Sequence, residues 1–204
     1  MAALSLCLTT QKRKNMAANA NCPTLKDFIL ADDCSENFGG MATTVYVFKR
    51  KDLAAGGLTL ESNSEATYKF SATPFVSGGR LWKFDCKRES QQVQGESQGY
   101  RKGFIITMNF VIEAVSEKAS EIARALNTGD LGFIVLDNDG KCQILYDTNQ
   151  RCEIESGGLT TDTGAAASDD RQMTVAVKLG PVAHPNYFLN ATKADLEALM
   201  TEAS

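Results

Sequence analysis

Residues 100–112, YRKGFIITMNFVI, read as a long β-strand that follows a polar stretch of eleven residues in which Val93 is the one large apolar side chain, ESQQVQGESQG, at 89–99. Upstream of the polar stretch, Arg80–Lys87 (RLWKFDCK) reads as a second strand. The expectation is a long β-hairpin, 80–87 against 100–112, with the polar residues at its far end. Phe104, Ile106, Met108, Phe110 and Ile112 share one face by period 2, and Ile105, Thr107, Asn109 and Val111 the other. Only the base of such an arm is expected to be buried on both sides. A protruding polar arm gains little inside one molecule, because ordering it costs entropy and its edge groups stay unpaired. It therefore points to a receiver outside the domain.

Around this arm, short β-like runs alternate with Gly, Asn, Asp and Ser clusters, as in all-β domains. Thr43–Phe48 (TTVYVF) reads as a strand after Gly39-Gly40, and Ala66–Ala72 as another that ends at Thr73-Pro74. One helix is clear: Ser116 caps a run in which Val115, Ala119, Ile122, Ala123 and Leu126 form a single apolar face, and Asn127-Thr128-Gly129 ends it. Leu131–Leu136 and Cys142–Tyr146 flank Asp137-Asn138-Asp139-Gly140, a tight-hairpin signal, since these residues tolerate positive φ. Residues 161–170 (TDTGAAASDD) read as an acidic loop before a final strand, Met173–Leu179. Thr192 and Asp195 start a short C-terminal helix signal. The expected fold is mainly β (α+β): an antiparallel β-sandwich or barrel with one flanking α-helix, a protruding hairpin arm and a short C-terminal helix. Residues 1–21 are expected to be a flexible tail, 22–190 a single domain and 191–204 a helical tail.

At 204 residues the chain has room for one domain, or two small ones. Its formal net charge of −4 argues against a protein that neutralises phosphates over its whole surface. The only histidine, His184, excludes mechanisms that need two imidazoles and His-rich metal sites. The six cysteines, Cys7, Cys22, Cys34, Cys86, Cys142 and Cys152, contain no C-x-x-C pair and are expected to be reduced thiols. MAALSLCL is too short for a signal-peptide core, so export is not expected, and no run is long enough to span a membrane. No metal or cofactor is implied.

Gly95-Glu96-Ser97-Gln98-Gly99 matches the G-x-S-x-G nucleophile elbow, with His184 downstream. The elbow requires a strand that turns into a helix, whereas this match lies between two strands, so a serine esterase built on Ser97 is the least favoured reading. Asp137–Gly140 lacks the spaced oxygen ligands of a calcium loop. Gly157, Gly158 and Gly164 lack the Lys-Ser/Thr of a phosphate-binding loop. Trp82, the only tryptophan, is expected in the core or at a subunit contact.

Charge is distributed unevenly. Residues 80–102 hold six basic side chains against three acids, whereas residues 137–170 hold eight acids against Lys141 and Arg151. This asymmetry fits a head-to-tail contact in which the basic arm of one copy docks on the acidic loops of the next, a geometry that generates rings and stacks. The expected contact residues are Lys87, Arg88, Glu89, Tyr100, Arg101 and Lys102 on the arm, and Asp162, Asp169 and Asp170 on the acidic loop.

The helix followed by GDLGFIVLDNDGKCQILYD, the segment TDTGAAASDDRQMTVAVKLGP and the polar arm together resemble phage tail tube proteins (major tail proteins), in particular structural proteins of tailed phages of Bacteroidetes-type hosts. The resemblance covers about residues 22–190. It implies a non-enzymatic virion subunit, assembled in the host cytoplasm, whose hexameric rings stack into a tube that passes DNA without sequence-specific contacts. It also implies an acidic lumen, inter-ring contact through residues 85–103, and copies of itself and other tail proteins as partners. The tail at 1–21 and the C-terminal helix suit equally a head–tail connector or tail terminator, and a capsid decoration protein is the remaining structural alternative.

Overall fold

The computed structural model describes residues 39–53, 57–59, 69–71, 79–99, 102–113, 115–166 and 168–201. The expected N-terminal tail, the start of the domain at 22, and Tyr100 and Arg101 lie outside these residues.

Val45, Tyr46, Val47 and Phe48 lie in strand β1 (Met41–Lys49), where β-branched and aromatic residues fill both faces, and all four are buried. β1 lies between β3 (Trp82–Asp85) and β6 (Leu131–Asp137) in a six-stranded sheet. β7 (Cys142–Leu145), β10 (Phe188–Leu189) and β2 (Lys69–Phe70) complete it, in the order β2-β10-β7-β6-β1-β3. The β6–β7 hairpin turns at Asp137–Gly140 as expected, with Gly140 at φ 80°. Of the strand expected at 66–72, the described part is β2 with Ser71; the rest lies outside the described residues.

A second sheet has the order β4-β5-β9-β8, built from β4 (Gln92–Ser97), β5 (Phe104–Ile112), β8 (Cys152–Asp162) and β9 (Gln172–Val182). Its inner face carries Ile106, Met108, Phe110, Met173, Val175, Val177 and Leu179, each at most 1% exposed. Phe110 meets Phe133 of β6 with ring centroids 6.3 Å apart. By strand alternation, Val45, Val47, Trp82, Phe84 and Val135 share that face of the six-stranded sheet, so the two sheets stack as a sandwich that does not close into a barrel.

The other face of the six-stranded sheet is buried too. The Phe70 ring packs against Tyr146 and Tyr187, and Phe48 packs on Tyr146. Helix α2 (Lys193–Thr201) contributes Leu196, which is fully buried in the same core, and the Cys142 thiol donates to the Ala191 carbonyl just ahead of it. Helix α1 (Glu117–Thr128) starts where expected: the Ser116 hydroxyl accepts the Ala119 N–H at 3.2 Å. It buries Ala119 and Leu126 and lies beside β8.

The hairpin is built differently from the expectation. Arg80–Lys87 does not pair with 100–112: Trp82–Asp85 joins β1 in the six-stranded sheet, at the register Val47↔Trp82 and Thr44↔Asp85. The partner of β5 is β4, from within the polar stretch, running from Gln92↔Asn109 to Ser97↔Phe104. β9 pairs with β5 along its other side from Ile112 to Phe104. The hairpin therefore lies along its own sheet, and its turn is confined to residues 98–103. Polar residues suffice for β4 because it is an edge strand exposed over most of its length, where little apolar surface has to be buried.

Candidate assembly interface

One residue expected on the arm, Lys87, and one expected on the acidic loop, Asp170, pair within a single chain. The Lys87 ammonium donates to Asp170 Oδ2 at 2.6 Å and lies 3.8 Å from Glu113. The hydrogen bond and charge of Asp170 hold the Lys87 pKa above its usual value. The backbone explains the pairing: the Lys87 N–H bonds the Val111 carbonyl, which brings the crossover between sheets to the end of the sandwich where the β8–β9 loop turns. Arg88 and Glu89 are both exposed and pair with each other at 3.6 Å, with Glu89 at φ 59°. Lys102 is exposed beside the 98–103 turn.

The acidic loop is ordered by its own carboxylates. Asp162 Oδ1 accepts the Gly164 N–H, and Asp169 Oδ2 accepts those of Ala165 and Ala166 at 2.9 and 2.8 Å. Those backbone donors hold the Asp169 carboxyl below the usual carboxylate range.

The outer face of the four-stranded sheet is uncovered among the described residues. Strand alternation puts Gln92, Gln94, Glu96, Thr107, Asn109, Thr174, Ala176, Lys178, Glu153 and Asp162 on it, together with the apolar Ile105 and Val111. Glu153 lies opposite Lys178, leaving Glu96 and Asp162 without a cation opposite them in the register. Among the described residues this mostly polar face ends at two edge strands, β4 and β8. β8 is bulged between Ile154 and Leu159, where Ser156-Gly157-Gly158 falls.

Sequence reasoning overlooked two features. Arg50, in a 3-10 turn at Arg50–Asp52, donates to the carbonyls of Asp147 and Thr148 at 2.9 Å and to that of Gln150. It also lies 3.5 Å from Asp130 and over the Tyr146 ring. A lone arginine after a strand gives no pattern to read. The second is the pair of cations on Trp82, the tryptophan expected in the core or at a subunit contact: half-buried on strand β3, it carries Lys49 Nζ 4.8 Å and the Arg80 guanidinium 5.2 Å from its ring centroid.

Ser97 lies in β4, which turns into an antiparallel partner and not into a helix, and its hydroxyl accepts the Gly99 N–H at 3.3 Å. Gly95 serves packing: a Cβ there would fall 2.2 Å from the Pro185 carbonyl. Cys86, Cys142 and Cys152 are free thiols, and desolvation first of all raises their pKa values to about 11, 11 and 12. Among the described residues no cluster of three or more His, Cys, Asp or Glu is placed to hold a metal, and no helix is long and apolar enough to cross a membrane. Comparisons with protein-family models, curated proteins and solved structures find no match to this chain.

Proposed function

We propose that the protein is a structural subunit that associates head to tail into rings, and that stacked rings form a phage tail tube through which DNA passes. The observation that carries this reading is the four-stranded sheet: one face seals the core, while the other is mostly polar, weakly acidic and, among the described residues, bounded by edge strands on both sides. Open edges are an aggregation liability in a protein that works alone. Joined edge to edge around a ring they are satisfied, and the uncovered face then lines a conduit. A lining whose carboxylates, Glu96, Glu153 and Asp162, outnumber its cation, Lys178, repels phosphates on balance, which favours sliding over tight binding.

Within one chain Lys87 pairs with Asp170, and in this reading the pair braces the acidic loop at the end of the sandwich while both side chains keep exposed surface. The test is negative-stain microscopy and sedimentation velocity of the purified chain across a concentration series. Rings that stack into tubes are expected. Rings that never stack would transfer the proposal to a connector or terminator, and a monomer at every concentration would overturn assembly altogether.

A further inference from the structure

The last strand and the last helix are held to the molecule in different ways. β10 is fixed by backbone: it pairs with β7 and β2, the Ile144 N–H bonds the Tyr187 carbonyl at 2.9 Å, and the Asn190 N–H bonds the Phe70 carbonyl at 2.9 Å. From Thr192 onward the polar contacts turn inward. Thr192 and Asp195 bond each other, Lys193 pairs with Glu197 at 3.7 Å, and the Leu196 N–H bonds the Thr192 carbonyl. The bond that reaches across to the sheet comes from a weak donor, the Cys142 thiol, which meets the Ala191 carbonyl at 3.0 Å.

α2 is therefore held on the sheet by its apolar side. Leu196 is fully buried, Leu199 and Met200 are half-buried, and Lys193, Ala194, Asp195 and Glu197 are exposed. A helix of nine residues is shorter than the roughly 12 at which isolated helices become marginal in water, so α2 keeps its shape while those three side chains pack and loses it when they part.

What lies beneath works against closure. Strand alternation puts Tyr46, Ile134, Leu136 and Cys142 on the face of the six-stranded sheet to which α2 is attached. Tyr46 is 0% exposed, and its hydroxyl has no hydrogen-bond partner among the described residues. Burial first, and then the charge of Glu197 on α2, raise the pKa of this phenol, so the helix lies within electrostatic reach of it. A buried hydroxyl without a partner has given up its hydration for nothing and regains it when the cover lifts.

We infer that α2 is a strap that opens and closes about residues 190–192 while both sheets stay folded, uncovering Tyr46 and Cys142 each time. The hinge falls there because the backbone bonds to the sheet end at Asn190 and those within the helix begin at Thr192. Opening costs less than global unfolding, since it exposes one buried leucine and two half-buried side chains and relieves one hydroxyl.

The test follows thiols in the full chain. Labelling with N-ethylmaleimide is read peptide by peptide by mass spectrometry, across a urea series that stops short of global unfolding. Cys142 is expected to label at lower urea than Cys86, at the β3–β4 crossover, and Cys152, in β8. Leu196→Ala is expected to raise the Cys142 rate by roughly tenfold or more and to leave the other two unchanged. Tyr46→Phe is expected to lower it about fivefold, because phenylalanine has no hydration to regain. Since Leu196→Ala also removes core volume, deuterium exchange of the wild type supplies a second readout, in which the amides of Glu197–Thr201 exchange ahead of those of β6 and β7. Wild-type Cys142 labelling in step with Cys86 and Cys152, or α2 amides exchanging together with those of β7, would overturn the strap. A Tyr46→Phe chain that labels faster than the wild type would overturn the part given to the hydroxyl.

Discussion

Arg50 is the side chain on which the most backbone converges. Its guanidinium satisfies three carbonyls of the β7–β8 connection, and its side chain is only 17% exposed beside Asp130. Arg50→Ala is expected to cost about 1–2 kcal/mol in a urea titration, because part-buried acceptors lose a charged donor. Arg50→Lys should recover less than half of that, since an ammonium cannot fork across several acceptors. Gly132 makes a comparable point through absence. It pairs with Phe48 across β1 and β6, and a Cβ there would lie 2.2 Å from the buried Phe48 ring. Gly132→Val is expected to destabilise the fold by about 2–3 kcal/mol through overpacking, measured in the same titration, whereas Gly140→Ala should be felt through its φ of 80° and not through contact.

Among the elements, α1 offers the most direct check of local sequence rules. Ser116→Ala removes the hydroxyl that accepts the Ala119 N–H and should cost about 1 kcal/mol by thermal denaturation, with Ser116→Asp retaining most of the stability. Elements whose core face repeats cleanly were legible in advance: β1, β5, α1, the β6–β7 hairpin and β9 all lie where the periodicity of Val, Ile, Phe and Leu put them. β4 and β8 were not. β4 lies in the run QQVQGESQG, with only Val93 turned toward the core, and an edge strand needs no more than that. β8 is interrupted by Ser156-Gly157-Gly158, which reads as a loop but is absorbed as a bulge that keeps Ile154 and Leu159 paired with β9. Missing β4 also misassigned the partner of β5, because hydrophobic periodicity identifies strands and says nothing about which edge they join. The same limit holds for the candidate contacts. Charge counts singled out Lys87 and Asp170, but only the crossover geometry shows that they meet within one chain, and only β3's edge position exposes Trp82.

Two groups of titrating side chains set how the whole molecule responds to pH. The thiols of Cys86, Cys142 and Cys152 stay protonated when folded up to about pH 11–12, while an unfolded thiol ionises near 9. Above that value the unfolded state binds fewer protons, so stability is full below it and falls as pH rises toward 11. At pH 8 the same three thiols should resist an aromatic disulfide reagent until denaturant is added. Asp169 and Asp195 are shifted the other way by backbone N–H donors, Asp195 through its bonds to Thr192. Their contribution is present above the ordinary carboxylate pKa and is lost as pH falls through the lower folded values, so acid unfolding monitored by circular dichroism should begin below about pH 4.

The sheets also differ in how much protects them. β6 has a neighbour on each edge and six consecutive buried residues, whereas β4 has one neighbour and is exposed over most of its length. Deuterium should therefore enter the molecule from the β4 margin and reach the β6 amides last, near the rate of global opening. A ring that joins that margin to its neighbour would seal the door, so slowed exchange at Gln92–Ser97 on raising protein concentration would report the join strand by strand.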